Sequence, residues 1–371
     1  MTRRQSLPYL RTCARRGALH GFICMHLLIP DLLLPRDHVR EVLAGLDLPG
    51  LTALLADARE LERERDVPAF QRSQPATRWL LQAFGLPAST EHAAIAPALR
   101  TADGYAPTTQ SWHLVQPCHL AVARDHVQLG LERLALEAAQ AQSLLDSIRT
   151  LLDEDGISVE VAASGRWYWH APMLDTLLCA EPARAIGRNV DLWLPDVAPQ
   201  ADPTPARKWR RLHNEVQMLW FNHPVNEARE AHNEPVVNGL WLHGGGVDLA
   251  PGAAGVHLAA QACAARDDQA LLRGLALRAD RPLVARDATN TAQPALILLD
   301  ELAGPAARND WSAWRDALLA LEATWFAPLA ASGKPITLTV CSDLHWSTRA
   351  RRTGMRWQFW KRPSLVNALA A

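Results

Sequence analysis

Residues 236–252, VVNGLWLHGGGVDLAPG, run an apolar β-type segment into three consecutive glycines. A strand ending in glycines can turn main-chain N–H groups towards an anion, the device used by many phosphate cradles. Gly244, Gly245 and Gly246 equally suit a tight turn that lets the chain pass another backbone closely. The Lys-Ser/Thr of a P-loop and the spacing of a dinucleotide fingerprint are both missing, so the two readings stay open. Upstream, Glu215, Gln217, Asn222, His223, Asn226 and Asn238 make a stretch rich in amides and carboxylates. Such groups can face a cleft, and amides as often tie down loop backbone. The candidate ligand set is therefore Glu215, Asn226, Asn238, His243, Gly244, Gly245 and Gly246.

Two carboxylate–imidazole pairs stand elsewhere, Asp125-His126 and Asp343-Leu344-His345. Oxygen and nitrogen donors of this kind hold divalent metals such as Mn or Zn when several strand ends bring them together. Asp31, closing an apolar segment, is the third candidate ligand beside Asp343 and His345. Each pair can also simply cap an element. Near the C-terminus, STRARRTGMRWQFWKRP at 347–363 mixes arginines with Trp357, Phe359 and Trp360. That mixture suits single-stranded nucleic acid, and it suits still better a strand whose aromatics pack inward while its arginines stay wet. No G-x-S-x-G or H-E-x-x-H motif occurs.

Several elements must position these groups. HLLIPDLLLP at 26–35, PALILLDEL and KPITLTVCSD are short apolar runs that suit strands covered on both faces. DWSAWRDALLALEATWFAPLAA lies between the last two as a helix, which is a parallel strand–helix–strand signature. Leu51, Leu54, Leu55, Ala58 and Leu61 predict a helix across LPGLTALLADARELERER. Further helices are expected at ATRWLLQAFGL, at STEHAAIAPALR and over about 127–153, and another at KWRRLHNEVQMLWFNHP, ended by Pro224. ISVEVAA and GRWYWHA alternate as a hairpin, and SWHLV, CHLAVA, NGLWLH and GVHLAA are β-like. The fold class is α/β: a doubly wound, mostly parallel sheet flanked by helices, with helical additions. The expected organisation is a disordered Arg-rich leader over 1–24 and a single α/β domain over 25–371, with a helical insertion around 36–155.

With 371 residues, 49% hydrophobic and 21% charged, the chain belongs among soluble globular proteins with a large core. Its net charge of -1 provides no global field for nucleic acid or an anionic membrane. Six scattered cysteines without a C-x-x-C pair suit a reducing cytoplasm. No apolar run reaches the ~18 residues of a membrane span. Fourteen Trp against three Tyr predict indoles at core edges and cleft walls.

MHLLIP at 25–30, PCHLAVARDHVQL at 117–129, GRWYW at 165–169, the block from NEVQMLWFNHP to NGLWLHGGG at 214–246, LLRGLAL at 271–277 and FWKRP at 359–363 together resemble the bacterial regulatory proteins of the RpfE type. That family begins at the MHLLIP strand, which points to Met25 as the functional start. NGLWLHGGG with LLRGLAL is more distantly similar to archaeal-type cofactor-independent phosphoglycerate mutases of the alkaline phosphatase superfamily, and CSDLHWST to their late Asp-His metal segment. Those enzymes use two divalent metals and a Ser or Thr nucleophile. Here the first strand ends PDLLLPRD, without Asp-Gly and without a hydroxyl, so the covalent phosphoryl intermediate has no acceptor. The resemblance implies a cytoplasmic protein that binds a small anionic, phosphorylated metabolite, its metal-dependent phosphoryl-transfer chemistry degenerate or absent. The alternative is a non-catalytic regulator acting on a protein partner through a Trp-rich surface.

Overall fold

The computed structural model describes residues 25–56, 58–130, 134–251, 262–288, 295–351 and 364–371. The Arg-rich leader, the GVHLAA segment and the Trp357–Trp360 part of the basic patch lie outside them. Numbered along the chain, the strands are β1 Met25–Ile29, β2 Ala58–Arg63, β3 Trp112–Cys118, β4 Leu120–Val122, β5 Val127–Leu129, β6 Ser158–Val161, β7 Trp167–His170, β8 Leu177–Leu178, β9 Asp196–Val197, β10 Gly239–Gly246, β11 Ala262–Ala264, β12 Leu283–Val284, β13 Ala295–Leu298, β14 Ile336–Cys341 and β15 Trp346–Arg351. The chain divides into two compact units, one built from residues 1–69, 75–86 and 250–371, the other from 70–74 and 87–249.

The first unit is the α/β part. Its seven strands run in the order β12-β11-β13-β1-β14-β15-β2, parallel from β12 to β14 and antiparallel at β15 and β2. All five residues of β1 are buried, as a central strand covered on both faces requires. Leu27 and Ile29 join Leu338, Val340, Trp314, Leu318 and Phe326 in the main core of this unit. His26 faces the other way, donating or accepting at Thr339 Oγ1 (2.8 Å) and packing 4.7 Å from the Trp79 ring. Burial lowers its pKa to about 3, so the imidazole is neutral. The mostly parallel sheet flanked by helices agrees with the sequence reading.

One expectation fails in this unit. The helix from 49 stops at Ala56, and ARELER becomes the edge strand β2. Glu60 then faces Arg349 on β15, an opposite-charge cross-strand pair, and its carboxylate accepts from Ser347 Oγ on the same strand at 3.1 Å. Ala303–Ala307, which holds one glycine and one proline, forms a separate short helix, and the expected helix follows as Trp311–Leu321, running through a π-turn at Glu322–Phe326 into Ala327–Ala331. The π-turn buries Glu322, whose carboxylate accepts the N–H groups of Gly50 (2.5 Å) and Leu51 (2.9 Å).

The second unit comprises residues 70–74 and 87–249. It is built on an antiparallel sheet in the order β10-β3-β7-β6, with the hairpin β6–β7 as anticipated. The predicted helix over 127–153 begins only at Ala138, because Val127–Leu129 pairs with β4 around the Asp125-His126 turn. Helix Thr204–Phe221 lays Trp209, Leu212, Val216 and Trp220 against Trp167, Trp169, Leu240 and Leu242. Pro224 does not merely end that helix; it opens the next, Pro224–Ala231, at the position where a missing N–H costs nothing.

Eleven of the twelve described tryptophans are buried, so these indoles are core rather than a Trp-rich surface. Among the described residues no helix is long and apolar enough to cross a membrane.

Candidate functional site

Strand β10 is an edge strand of the four-stranded sheet in the second unit, where its strand neighbour is β3. Its register slips between His243 and Gly246, so the glycines form an irregular end to the ladder. Gly244 has φ +64°, the left-handed region that glycine enters without penalty, and its carbonyl accepts the Ile95 N–H at 3.0 Å. Close approach explains the other two. A Cβ on Gly245 would sit 1.8 Å from Cδ2 of His113, and one on Gly246 would sit 2.5 Å from the Ala94 Cβ. The glycine run therefore makes room for close neighbours, but these are side chains from 94, 95 and 113 rather than another backbone.

The same glycines also border a hollow of about 250 Å³, which lies entirely within this unit. Arg72, Ser73, His92, His113, Asp175 and Glu181 line it along with Gly244, Gly245 and Gly246. Arg72 is held from behind: its Nη1 donates to the carbonyls of Trp193 (3.3 Å) and Leu194 (3.2 Å), and its guanidinium lies 5.5 Å from the Phe70 ring centre. Ser73 Oγ donates to the Ser89 carbonyl at 2.5 Å. Glu181 Oε1 accepts the Gln74 N–H at 2.7 Å. His113 is buried, and desolvation, with the neighbouring His92 and His170 adding to it, lowers its pKa to about 4. Cys179 also lines the hollow, and burial raises its thiol to about 12 against the opposing pull of Arg72, so no thiolate forms there at neutral pH.

The candidate ligand set splits. Gly244, Gly245 and Gly246 border the hollow, whereas His243, Glu215, Asn226 and Asn238 do not line it. Asn226 is buried and spent on backbone: Nδ2 donates to the carbonyls of Trp220 (2.7 Å) and Val237 (2.8 Å), and Oδ1 accepts the Val237 N–H (2.8 Å). Asn238 grips Leu120 in the same way, Oδ1 accepting its N–H at 2.6 Å and Nδ2 donating to its carbonyl at 2.9 Å. These two amides tie down loops, which was the structural alternative for them. Glu215 is half-buried on helix Thr204–Phe221. His243 is buried behind the glycines, its pKa lowered to about 4 by desolvation.

The candidate metal ligands belong to the first unit. Asp31 follows β1 with φ +55°, and its carbonyl accepts the Trp314 indole N–H at 3.0 Å. Asp343 and His345 sit in the tight turn between β14 and β15, which Ser342 organises by accepting the N–H groups of Leu344 (3.1 Å) and His345 (3.0 Å). Among the described residues no three His, Cys, Asp or Glu side chains converge as a metal set. The donors therefore do not fit a two-metal centre, and no chemical step is assigned to one. In the basic patch, Arg349 and Arg351 donate to the carbonyls of Ala368 (3.0 Å) and Ala330 (3.2 Å), as a packed strand would use them.

No family model matches the chain, and no curated protein matches it. Solved structures similar to it include the following two. One is the cofactor-independent phosphoglycerate mutase from Thermoplasma acidophilum DSM 1728, 16% identical, covering 93% of this chain and 94% of that one, with a TM-score of 0.44. The other is a protein from Pyrococcus horikoshii, 13% identical, covering 92% of this chain and 91% of that one, with a TM-score of 0.47. Neither likeness bears on what the hollow binds.

Proposed function

We propose that this protein binds a small anionic, phosphorylated metabolite in the hollow beside Gly244, Gly245 and Gly246, and that metal-dependent phosphoryl transfer is degenerate or absent. The observation that carries the reading is the meeting of a glycine-lined wall with a braced guanidinium at Arg72. Fixing Arg72 in advance removes rotamer entropy that binding would otherwise cost. Titration calorimetry with 2- and 3-phosphoglycerate, with and without Mn²⁺, tests it. Saturable heat that is lost in Arg72→Ala supports the reading; no heat under either condition refutes it. Analysis of the purified protein for tightly held Mn or Zn decides separately whether the enzyme reading returns through Asp31, Asp343 and His345.

A second reading, a non-catalytic regulator acting through protein contacts in the cytoplasm, has one observation behind it. Met218, Leu219 and Phe221 at the end of helix Thr204–Phe221 are exposed, Phe221 at 80%, although large apolar side chains normally seek cover. Retention of a specific partner by the wild type, lost in a Met218→Ser, Phe221→Ser variant, favours this reading.

A further inference from the structure

The charges around the hollow are not those of a plain anion trap. Arg72 is the guanidinium on its wall, while Asp175 and Glu181 bring two carboxylates. The histidines do not redress the balance, because burial keeps His113 neutral. The two carboxylates are differently placed. Glu181 is buried and its Oε1 is occupied by the Gln74 N–H. Asp175 is exposed at the end of the turn Pro172–Leu174, and among the described residues only its main-chain N–H is engaged, on the Pro172 carbonyl. A carboxylate left open on the wall of a binding hollow repels a purely anionic ligand and attracts one that also carries a positive charge. The volume of about 250 Å³ is at the small end for a ligand pocket and suits a metabolite of a few carbons.

We infer that the ligand is a small phosphorylated zwitterion whose anionic group meets Arg72 and the glycine wall and whose ammonium group meets Asp175. This rests on the anion-binding reading above and narrows it to one class of metabolite. The probe pair is O-phosphoserine and 3-phosphoglycerate, which share a carbon skeleton and differ by an ammonium in place of a hydroxyl.

Calorimetry at pH 7.5 is expected to give about fivefold tighter binding of O-phosphoserine, the size of one partly exposed ion pair. Asp175→Asn, a surface change that should leave the melting temperature unaltered, is expected to weaken O-phosphoserine to the level of 3-phosphoglycerate and to leave the latter unchanged or tighter. Binding of 3-phosphoglycerate as tight as that of O-phosphoserine in the wild type overturns the zwitterion inference and leaves the anion reading standing. A preference that persists undiminished in Asp175→Asn overturns the role of Asp175 and with it the inference. Heat from neither probe overturns both.

Discussion

Gly245→Ala isolates the packing that shapes the hollow. The added Cβ would lie 1.8 Å from Cδ2 and 2.2 Å from Nε2 of His113. Carbon atoms rest at about 3.5 Å or more, so the ring or the strand has to retreat by roughly 1.7 Å. His113 is 3% exposed and pairs with Trp169 across the β3–β7 ladder, so the ring can retreat only towards the hollow that it lines, at the expense of its packing. Overpacking a tight interior costs about 1–3 kcal/mol, and an overlap this deep belongs at the upper end, about 3 kcal/mol. His113→Ala alone removes a buried ring and costs about 2 kcal/mol. In the double variant the new methyl occupies the space that the ring vacates. Its loss should therefore match that of His113→Ala alone, a coupling of about 3 kcal/mol.

Urea unfolding followed by tryptophan fluorescence, at constant slope, reads these differences. Gly156→Ala is the control for backbone conformation, since Gly156 has φ +66° with nothing within 4 Å of its would-be Cβ; it should cost about 1 kcal/mol. Additive losses in Gly245→Ala and His113→Ala would refute the reasoning, because the overlap then lies with something other than the ring.

Asn226→Ala should cost about 3 kcal/mol by stranding the buried carbonyls and N–H that it now satisfies, whereas Glu215→Gln should change stability by under about 0.5 kcal/mol; a well-folded Asn226→Ala with weakened ligand binding would contradict the structural assignment. Stability should also fall in mild acid. His213, buried against Trp209, has its folded pKa lowered to about 4, so below the unfolded value of 6.5 the unfolded chain takes up a proton that the native one refuses. Its contribution is fully present above pH 6.5 and is lost at about 1.4 kcal/mol per pH unit down to about pH 4. His213→Phe should flatten the stability profile by that slope between pH 6 and pH 4.5, and an unchanged slope in urea titrations would count against a neutral native imidazole. Arg72→Lys should weaken 3-phosphoglycerate about tenfold, because the compact ammonium cannot hold both carbonyls and the ligand at once.

What could be read from the chain depended on whether a segment's burial was decided locally. MHLLI, ALIL and ITLTVC announce central strands because a strand covered on both faces must be apolar at every position. ARELER announces nothing of the kind: its composition favours a helix, and only the long-range pairing with β15, with Glu60 opposite Arg349, makes it an edge strand. The charges that concealed it also suit it to an edge, where a row of ionic side chains discourages pairing with another chain.

The candidate site follows the same logic. The glycine run was visible because three glycines at a strand end are locally unusual, and Asn226 and Asn238 were visible as polar residues beside it. Arg72, His92, His113, Asp175 and Glu181 were not, since each stands alone in its own segment and none forms a motif. The one available signal was indirect. A glycine with no turn to make, such as Gly245, implies a bulky neighbour pressed against it from elsewhere in the chain, and that neighbour is His113. Site prediction from such a chain gains more by asking what each strand glycine makes room for than by collecting nearby polar residues, because polar residues beside a turn are usually consumed in building it.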